Sequence, residues 1–432
     1  MKILAAGDAI IQRRIPEGYP GYEELIPHIE SADASFFNLE TTLNRIGDCP
    51  ASQFSGGTYI RCESECLLDI MDFGFNMTSF NNNHALDFSY AGLEDTLDYL
   101  EDSGIVHAGV GRNLAEASMP KYLDTPRGRV ALIAVNSSFD PSMMAGETSP
   151  LFPGRAGVNG LRLNKYVEVT REELDFIRDL AKRTNINAQK EITRKEGYFP
   201  SLDEGTAELG ELKFKLAERS SFVMEIERAD IERLRTSIHE AKLLADYVIV
   251  SVHSHQISGD RKECPAAFLE KLAHEAIDLG ANAVIGHGPH LLRPIEIYKD
   301  SPIFYSLGDF ILELYSVPAA PADFFRKQKM PIDSTVHDLL KARSKNFTTG
   351  LMEDKRMFMS ILPTWEVEDG KLQNLELIPI MLKIKGNKSE VGLPRLATRE
   401  EACEIFEYLS EMSSPYGTKM TLADDNRIKV TV

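Results

Sequence analysis

Six short polar stretches of this chain carry side chains that bind metal ions or move protons, and each directly follows an apolar run. Such runs predict strands, and polar residues at the carboxyl ends of strands that share a sheet converge in space. Imidazole nitrogens together with carboxylate and amide oxygens suit Zn, Mn or Fe ions. The pattern therefore predicts a divalent metal site at several strand ends. The stretches are Gly7-Asp8, Asn38-Leu39-Glu40, Asn82-Asn83-His84, His253-Ser254-His255, Gly286-His287-Gly288-Pro289-His290 and Gly308-Asp309.

The carboxylate and amide residues allow two kinds of chemistry. Asp8 and Glu40 each end an apolar run. Two carboxylates on neighbouring strands can share a pair of cations, or can act as an acid and a base. Asn83 offers a neutral oxygen ligand directly beside His84. Because adjacent side chains at a strand end point apart, one of this pair can bind metal while the other faces a substrate.

The histidines fall into two classes by their position. His253 and His255 share one face if their strand continues, since side chains alternate with a period of two. His287 and His290 flank a turn that Gly288-Pro289 makes rigid. Asp309 is interpreted as a hydrogen-bond partner of a ligating histidine, with a direct ligand or a turn residue as alternatives. The remaining histidines are interpreted as packing or surface residues: His28, His107, His239, His274 and His337.

Composition excludes several classes of function. The chain has 432 residues, 43% hydrophobic and 26% charged, which suffices for a large core. Its net charge of −18 disfavours nucleic acid and anionic membranes as partners. No apolar run approaches the ~20 residues that cross a bilayer, and a strand starting at Lys2 leaves no room for a signal peptide. We therefore expect a cytoplasmic protein with neither membrane insertion nor nucleic acid binding.

The elements that must position these residues alternate between strands and helices. Strands are predicted at 3–6, 34–37, 76–79 and 130–135, and again at 247–252 and 283–285, with helices between them. This pattern predicts an α/β fold with a parallel or mixed sheet. We expect a single domain over residues 1–432.

Three segments interrupt or complete this alternation. Residues 140–228 begin with prolines and glycines and continue as a polar helical stretch with few strand signals, which predicts an insertion that caps the site or merely decorates the surface. Residues 318–350 are predicted to form a loop or lid. Residues 351–432 are predicted to complete the fold with a hairpin turned at Asp369-Gly370 and a helix near 399–412.

The motifs together resemble the CapA family, named for bacterial poly-γ-glutamate capsule synthesis, whose fold is similar to that of the calcineurin-like metallophosphoesterases. The resemblance implies a four-layer α/β/β/α sandwich of the metallophosphoesterase type, with an inserted cap region and a two-metal centre. The motifs span the chain to about residue 312 in the family's order. They are Gly7-Asp8 with Arg13, Asn38-Leu39-Glu40, Asn82 to Asp87, Gly109 to Asn113, Val250 to His253, Gly286 to His290 and Tyr305 to Phe310.

The resemblance also implies a role for each site residue. His84 would be the general acid near the leaving group. His290, with Arg13, would complete the site or contact an anionic substrate. Glu40 would bridge two metal ions. One or two ions of Mn, Fe or Zn are expected per chain. The implied metal ligands are Asp8, Glu40, Asn83, His253 and His287, with His255 as a substitute ligand.

The chain departs from the family patterns in two places that matter for function. Phosphoesterases usually begin with Asp-x-His, whereas Ala9-Ile10 follows Asp8 here, which removes one ligand. The usual His-Trp-Gly-x-Glu is replaced by His253-Ser254-His255-Gln256-Ile257. We also expect no membrane anchor of the kind that is typical of capsule members.

Two functional hypotheses follow from the resemblance. The first is a metal-dependent hydrolase of a phosphoester or γ-glutamyl amide bond, acting on an anionic small molecule or a glutamyl polymer. The alternative is a non-catalytic polymer-binding or assembly component of a capsule or poly-γ-glutamate synthesis system. The missing histidine after Asp8 favours the alternative. The Asn83-His84 pair favours catalysis, since a structural metal needs no poised acid.

Overall fold

The computed structural model describes residues 1–314, 317, 319–346, 348–350, 353–368 and 370–431. The strands of these residues are β1 Lys2–Ile10, β2 Ala34–Leu39, β3 Thr42–Leu43, β4 Arg61–Cys62, β5 Met77–Ser79, β6 Val106–Ala108, β7 Val110–Gly111, β8 Lys121–Thr125, β9 Gly128–Asn136, β10 Gly157–Val158, β11 Leu163–Val169, β12 Thr206–Leu209, β13 Leu212–Leu216, β14 Ser221–Ile226, β15 Tyr247–His253, β16 Ala283–His287, β17 Ile295–Tyr298, β18 Ser301–Phe304, β19 Asp309–Leu312, β20 Met359–Glu368, β21 Lys371–Leu382, β22 Pro394–Leu396, β23 Met420–Leu422 and β24 Ile428–Val430. The helices are α1 Pro20–Ile29, α2 Glu65–Met71, α3 Ser89–Ser103, α4 Leu114–Ser118, α5 Arg171–Thr184, α6 Ala188–Lys195, α7 Arg228–Leu244, α8 Ala267–Leu279, α9 Ala322–Lys327, α10 Val336–Arg343 and α11 Arg399–Ser413.

The chain divides into two compact units. The main unit comprises Met1–Leu161 together with the chain from Glu232 onward, and the inserted unit comprises Arg162–Ile231. Every residue implied in the metal site belongs to the main unit.

Two large sheets form the main unit. The first has the strand order β23-β24-β21-β20-β1-β2-β5-β6, with β19 also paired to β1 and β22 to β21. The second has the order β17-β18-β16-β15-β9-β8. In the first sheet β1 runs parallel to β2 and β19, and in the second β9, β15, β16 and β18 run parallel. Parallel neighbours place their carboxyl ends at one edge, as the strand–helix alternation predicts.

Apolar side chains on both faces of β1 explain the layering. Ile3 and Ala5 belong to an apolar core shared with Ile249 and Ile285 of the second sheet. Alternate residues such as Leu4 point into a second core with residues of α1, α2 and α3. Helix α8 contacts β16 of the second sheet. The α/β sandwich expected from the sequence is thereby confirmed.

The inserted unit contains more strands than its sequence suggested. Strands β12, β13, β11 and β14 form one sheet in that order. Leu174 of α5 packs with Val169, Ala207 and Phe214 of this sheet. The expectation of a mainly helical segment is therefore wrong. In β13, Leu212-Lys213-Phe214-Lys215-Leu216, apolar and charged residues nevertheless alternate with the period of two that a strand shows. The capping role of residues 140–228 stays a prediction.

The C-terminal part of the chain includes the predicted hairpin and helix. Strands β20 and β21 pair antiparallel up to Glu368 and Lys371, and Asp369 of the predicted turn lies outside the described residues. Helix α11 matches the expected helix closely. Within 318–350, predicted as a loop or lid, α9 and α10 are present, and Pro318 and Phe347 lie outside the described residues. No described helix is both long and apolar enough to span a membrane.

Candidate metal centre

Both large sheets bring polar side chains together near strand ends, with Asp8 and His253 toward the carboxyl ends of β1 and β15 and Asp309 at the amino end of β19. In the first sheet, Asp8 of β1 is in register with Asn38 of β2 on one side and Asp309 of β19 on the other. In the second sheet, His253 at the end of β15 is in register with His287 at the end of β16. The convergence expected at strand ends therefore occurs in both sheets.

The backbone around Asp8 is irregular in a way that aims its side chain. The register between β1 and β2 shifts between Ala5 and Asp8, which marks a bulge. Gly7 packs so closely on the Gly308 carbonyl that a side chain at Gly7 would collide with it. The Asp8 N–H donates to the same carbonyl at 3.1 Å. Bulges redirect side chains beside active sites, and the two glycines allow the strands to meet here.

The first group of potential ligand atoms surrounds one oxygen of Glu40. Ligand atoms of Glu40, His253 and His255 all lie within 4.8 Å of one another. His253 Nε2 is 3.7 Å from Glu40 Oε1 and 3.2 Å from His255 Nε2. Asn83 Oδ1 lies 3.3 Å from His255 Nε2. Two imidazoles, a carboxylate and an amide oxygen form a donor set for a divalent transition metal.

The second group lies on the other side of Glu40. Ligand atoms of Asp8, His290 and Asp309 are within 4.8 Å of one another. His290 Nδ1 is 2.9 Å from Asp309 Oδ1 and 3.9 Å from Asp8 Oδ2. The same nitrogen is 3.9 Å from Glu40 Oε2. Glu40 thus presents one oxygen to each group, so that its carboxylate would be available to cations in both.

The turn that carries His290 has an unusual backbone. His290 has a φ of 57°, a left-handed conformation that is uncommon for a residue other than glycine. Gly288 precedes it with a φ of 111°, and its N–H donates to Asp8 Oδ2 at 2.9 Å. Backbone conformations of this kind cluster at functional sites, where the surrounding structure holds them.

The buried charges of the centre fit a bound cation. Glu40 is 0% exposed, and no residue that the structure describes donates a hydrogen bond to either of its oxygens. Asp8 and Asp309 are also 0% exposed. Burying several carboxylates together is costly without compensating positive charge. A divalent cation would supply that charge, so the donor set fits a metal ion.

The pKa values reflect the same crowding of charge. Burial, followed by the negative charges of Asp8 and Asp309, raises the pKa of Glu40 well above its usual value. Burial also raises the pKa of Asp309 to about 6. Burial lowers the pKa of His253 to about 3 and lowers that of His255 as well. Burial thus favours the neutral form of both histidines, the form in which imidazole binds metal.

Asp8 is held by partners from both sheets. Asn38 Nδ2 donates to Asp8 Oδ1 at 2.8 Å. His287 Nδ1 lies 3.1 Å from the same oxygen. Burial opposes ionisation of Asp8, but His287 and the neighbouring imidazoles lower its pKa well below the usual range. His287, an expected ligand, therefore lies against Asp8 and outside the two compact groups.

His84 and Asp87 form a buried pair beside Glu40. His84 Nδ1 is 2.7 Å from Asp87 Oδ2, and its Nε2 is 3.9 Å from Glu40 Oε1. Asp87 also accepts hydrogen bonds from the backbone N–H groups of Gly56 at 3.0 Å and Ile60 at 2.9 Å. A carboxylate fixed in this way orients the imidazole and leaves its Nε2 directed at the centre.

The loop around Gly56 also sets the orientation of Asn83. Asn83 Nδ2 donates to the Gly56 carbonyl at 3.0 Å. The amide nitrogen is therefore engaged away from the centre, and the oxygen faces His255. Neighbouring residues Asn83 and His84 thus present different groups to the centre, as the sequence suggested.

Arg13 lies apart from these groups. Its guanidinium is 3.1 Å from Glu313, and it donates to the carbonyls of Lys388 at 2.7 Å and Val391 at 3.2 Å. These contacts tie Arg13 to the C-terminal region, and its proposed role at the substrate stays a prediction.

Sequence reasoning left two residues of this site, Asn38 and Asp87, without a role. Asn38 and Asp87 lie inside the quoted motifs, two residues before Glu40 and three after His84. That close spacing to a candidate ligand and a candidate acid was a usable signal. Asp309 was predicted to be a hydrogen-bond partner of a histidine, and in the structure it also belongs to a potential ligand group.

Comparison with known proteins shows the family to which the chain belongs. Residues 2–313 match the family described as bacterial capsule synthesis protein PGA_cap. The uncharacterized proteins y4sH and y4uA of Sinorhizobium fredii are each 32% identical over 432 residues, covering 98% of this chain and 91% of theirs. The PGA biosynthesis protein CapA of Bacillus subtilis is 32% identical over 383 residues, 81% of this chain and 78% of its own. The capsule biosynthesis protein CapA of Bacillus anthracis is 20% identical over 319 residues, 72% of this chain and 60% of its own.

The matched region contains both potential ligand groups and the His84–Asp87 pair. The resemblance to capsule proteins that the motifs indicated is confirmed. The chain belongs to the PGA_cap family of bacterial capsule synthesis proteins.

Proposed function

We propose that this chain is a metal-dependent hydrolase that acts in the synthesis or processing of an anionic capsule-type polymer. The observation that carries the proposal is the Glu40 carboxylate, which is buried without hydrogen-bond donors among the described residues and lies between two potential ligand groups. Glu40, His253, His255 and Asn83 would hold one cation. Asp8, Asp309 and His290, with the second oxygen of Glu40, would hold another. A bound divalent cation supplies Lewis acidity and generates a nucleophile from water at neutral pH.

The chain's own residues would perform the proton transfer. His84 Nε2 faces the centre, while its Nδ1 is engaged by Asp87. An imidazole in this arrangement can donate a proton to a leaving group, and Asp87 stabilises its protonated form. His84 is therefore proposed as the general acid rather than as a ligand.

The proposed substrate class comes from the family. Relatives are named for PGA biosynthesis and for capsule biosynthesis. The proposed substrate is thus an anionic polymer or its precursor, cleaved at a phosphoester or a γ-glutamyl amide bond. We propose that the protein acts in the cytoplasm.

Metal removal provides the first test. Protein purified without chelator is expected to contain Mn, Fe or Zn in near-stoichiometric amount and to hydrolyse a generic phosphodiester or a γ-glutamyl dipeptide. Dialysis against a chelator should abolish turnover, and adding the metal back should restore it. Elemental analysis with no metal, even after metals are added, would contradict the metal centre. Metal without turnover on either substrate would favour the non-catalytic polymer-binding component.

A pair of histidine variants provides the second test. His287→Ala is expected to weaken metal affinity by roughly 10–100-fold, because His287 lies against Asp8. His274→Ala is the matched control, since His274 lies on α8 and contacts Glu296 at 2.9 Å outside the centre. Metal titration of both variants measures the difference. If the two variants bind metal with equal affinity, His287 is not part of the metal centre.

A further inference from the structure

The turn that follows β15 is tied to the end of β9 by a network of hydrogen bonds. Gln256 lies at the centre of this network, because its side-chain oxygen accepts from three hydroxyls. The donors are Ser254 Oγ at 2.7 Å, Ser137 Oγ at 2.9 Å and Ser138 Oγ at 3.0 Å. Three donors on one oxygen leave the Gln256 side chain little freedom to turn.

Further bonds fix both ends of the Gln256 residue. Its Nε2 donates to the Ser137 carbonyl at 3.0 Å. The Ser137 N–H donates to the His253 carbonyl at 3.0 Å, so the two strand ends are also joined through the backbone. The buried Arg293 guanidinium donates to the carbonyls of Gln256 at 3.0 Å and of Ser254 at 3.5 Å. The turn is therefore held through its side chains and through its carbonyls.

Ser138 connects this network to His255. The His255 N–H donates to Ser138 Oγ at 2.8 Å, and the same hydroxyl donates to Gln256. His255 Nε2 then lies 3.2 Å from His253 Nε2 and 3.3 Å from Asn83 Oδ1. The hydroxyl of Ser138 thus links a hydrogen-bonded backbone to an imidazole of the first ligand group.

We propose that Ser138 and Gln256 are positioning residues that hold His255 as a ligand of the first group. The inference rests on the proposed function in taking this group as a cation site. His255 stands where the usual His-Trp-Gly-x-Glu pattern has glycine, and the polar residues beside it replace the rest of that pattern. Partners of this kind orient a ligand before the metal binds, which lowers the entropy lost on binding.

Titration of the metal-free full chain with Mn²⁺ tests this role directly. Ser138→Ala removes the acceptor of the His255 N–H, and Gln256→Leu removes the acceptor of three hydroxyls. Each variant is expected to raise the Kd of Mn²⁺ roughly 10-fold or more, as loss of a residue that orients a ligand does. Ser138→Thr keeps the hydroxyl and should stay within about threefold of wild type.

A matched control comes from a serine on the same stretch of chain. Ser142 is exposed, and its hydroxyl donates to Asp140. Ser142→Ala should bind Mn²⁺ as wild type does, because its hydroxyl has no bond to the turn after β15. A loss as large as that in Ser138→Ala would contradict the specific role of Ser138.

A double-mutant cycle shows whether Ser138 acts through His255. In the His255→Ala background, Ser138→Ala should cause no further loss of Mn²⁺ affinity, because the ligand that it positions is gone. A further loss as large as that in wild type would mean that Ser138 supports the fold in general, and would overturn the proposal. If Ser138→Ala does not fold, the same cycle with Gln256→Leu decides the question.

The remaining outcomes separate this role from the hydrolase proposal. If either Ser138→Ala or Gln256→Leu binds Mn²⁺ as wild type does, the positioning role is wrong. If Mn²⁺ affinity depends on both residues while wild type hydrolyses nothing, the hydrolase proposal fails and the positioning role stands. If wild type binds no Mn²⁺, the metal centre is wrong and this role with it.

Discussion

In the Glu40→Gln variant we expect both ligand groups to lose their cations and turnover to be abolished, because Glu40 presents one oxygen to each group. Loss of a residue that only orients a metal ligand lowers metal affinity by roughly 10–100-fold. Loss of a ligand that both groups share should therefore lower the affinity by at least ~10²-fold. Elemental analysis after dialysis and a Mn²⁺ titration would measure the loss. Glutamine has almost the same shape as glutamate, so the change removes mainly the charge.

A matched control and a stability measurement distinguish ligand loss from misfolding. Glu296→Gln also neutralises a buried glutamate, but Glu296 bonds to His274 at 2.9 Å and Tyr305 at 2.8 Å outside the centre. It should retain the metal. The metal-free Glu40→Gln protein should be at least as stable to heat as metal-free wild type, since it buries one charge fewer. Wild-type metal content in Glu40→Gln would contradict the bridging role.

His84→Ala is expected to keep the metal and the fold but to lower turnover on a substrate with a poor leaving group by roughly 10²–10⁴-fold. The reason is that His84 contacts Asp87 and faces Glu40 without belonging to either ligand group. A substrate with a good leaving group needs little protonation and should be affected less. Steady-state rates on two aryl phosphodiesters of different leaving-group pKa would measure this contrast.

Asn83→Ala is the companion variant, because it changes the neighbouring residue. Asn83 Oδ1 lies 3.3 Å from His255 Nε2, so this variant should lose metal and slow both substrates alike. If His84→Ala loses metal to the same extent, His84 is a ligand and not the acid. If neither variant changes turnover, the protein is better described as a binding component.

Strands β1 and β15 were predictable because each contains an apolar run that is followed by a polar residue. The run predicted at 3–6 is observed as Lys2–Ile10, and that predicted at 247–252 as Tyr247–His253. Both strands extend beyond the apolar residues because Asp8 and His253 stay in the sheet pairing. A polar residue with a buried partner can stay in a strand, although the hydrophobic pattern alone predicts that the strand ends there.

The sequence predicted a histidine partner for Asp309, but it could not identify that partner as His290. The two residues are 19 positions apart. Between them the chain leaves β18 in the second sheet and enters β19 in the first. Short apolar runs at both strands look alike in sequence, so nothing marks the change of sheet.

Anomalous diffraction from crystals grown with Mn²⁺ would locate the cations directly. We expect one anomalous peak on each side of Glu40. One peak should contact His253 and His255, and the other Asp8 and His290. Crystals that contain Mn²⁺ but show no peak at Glu40 would contradict the metal centre.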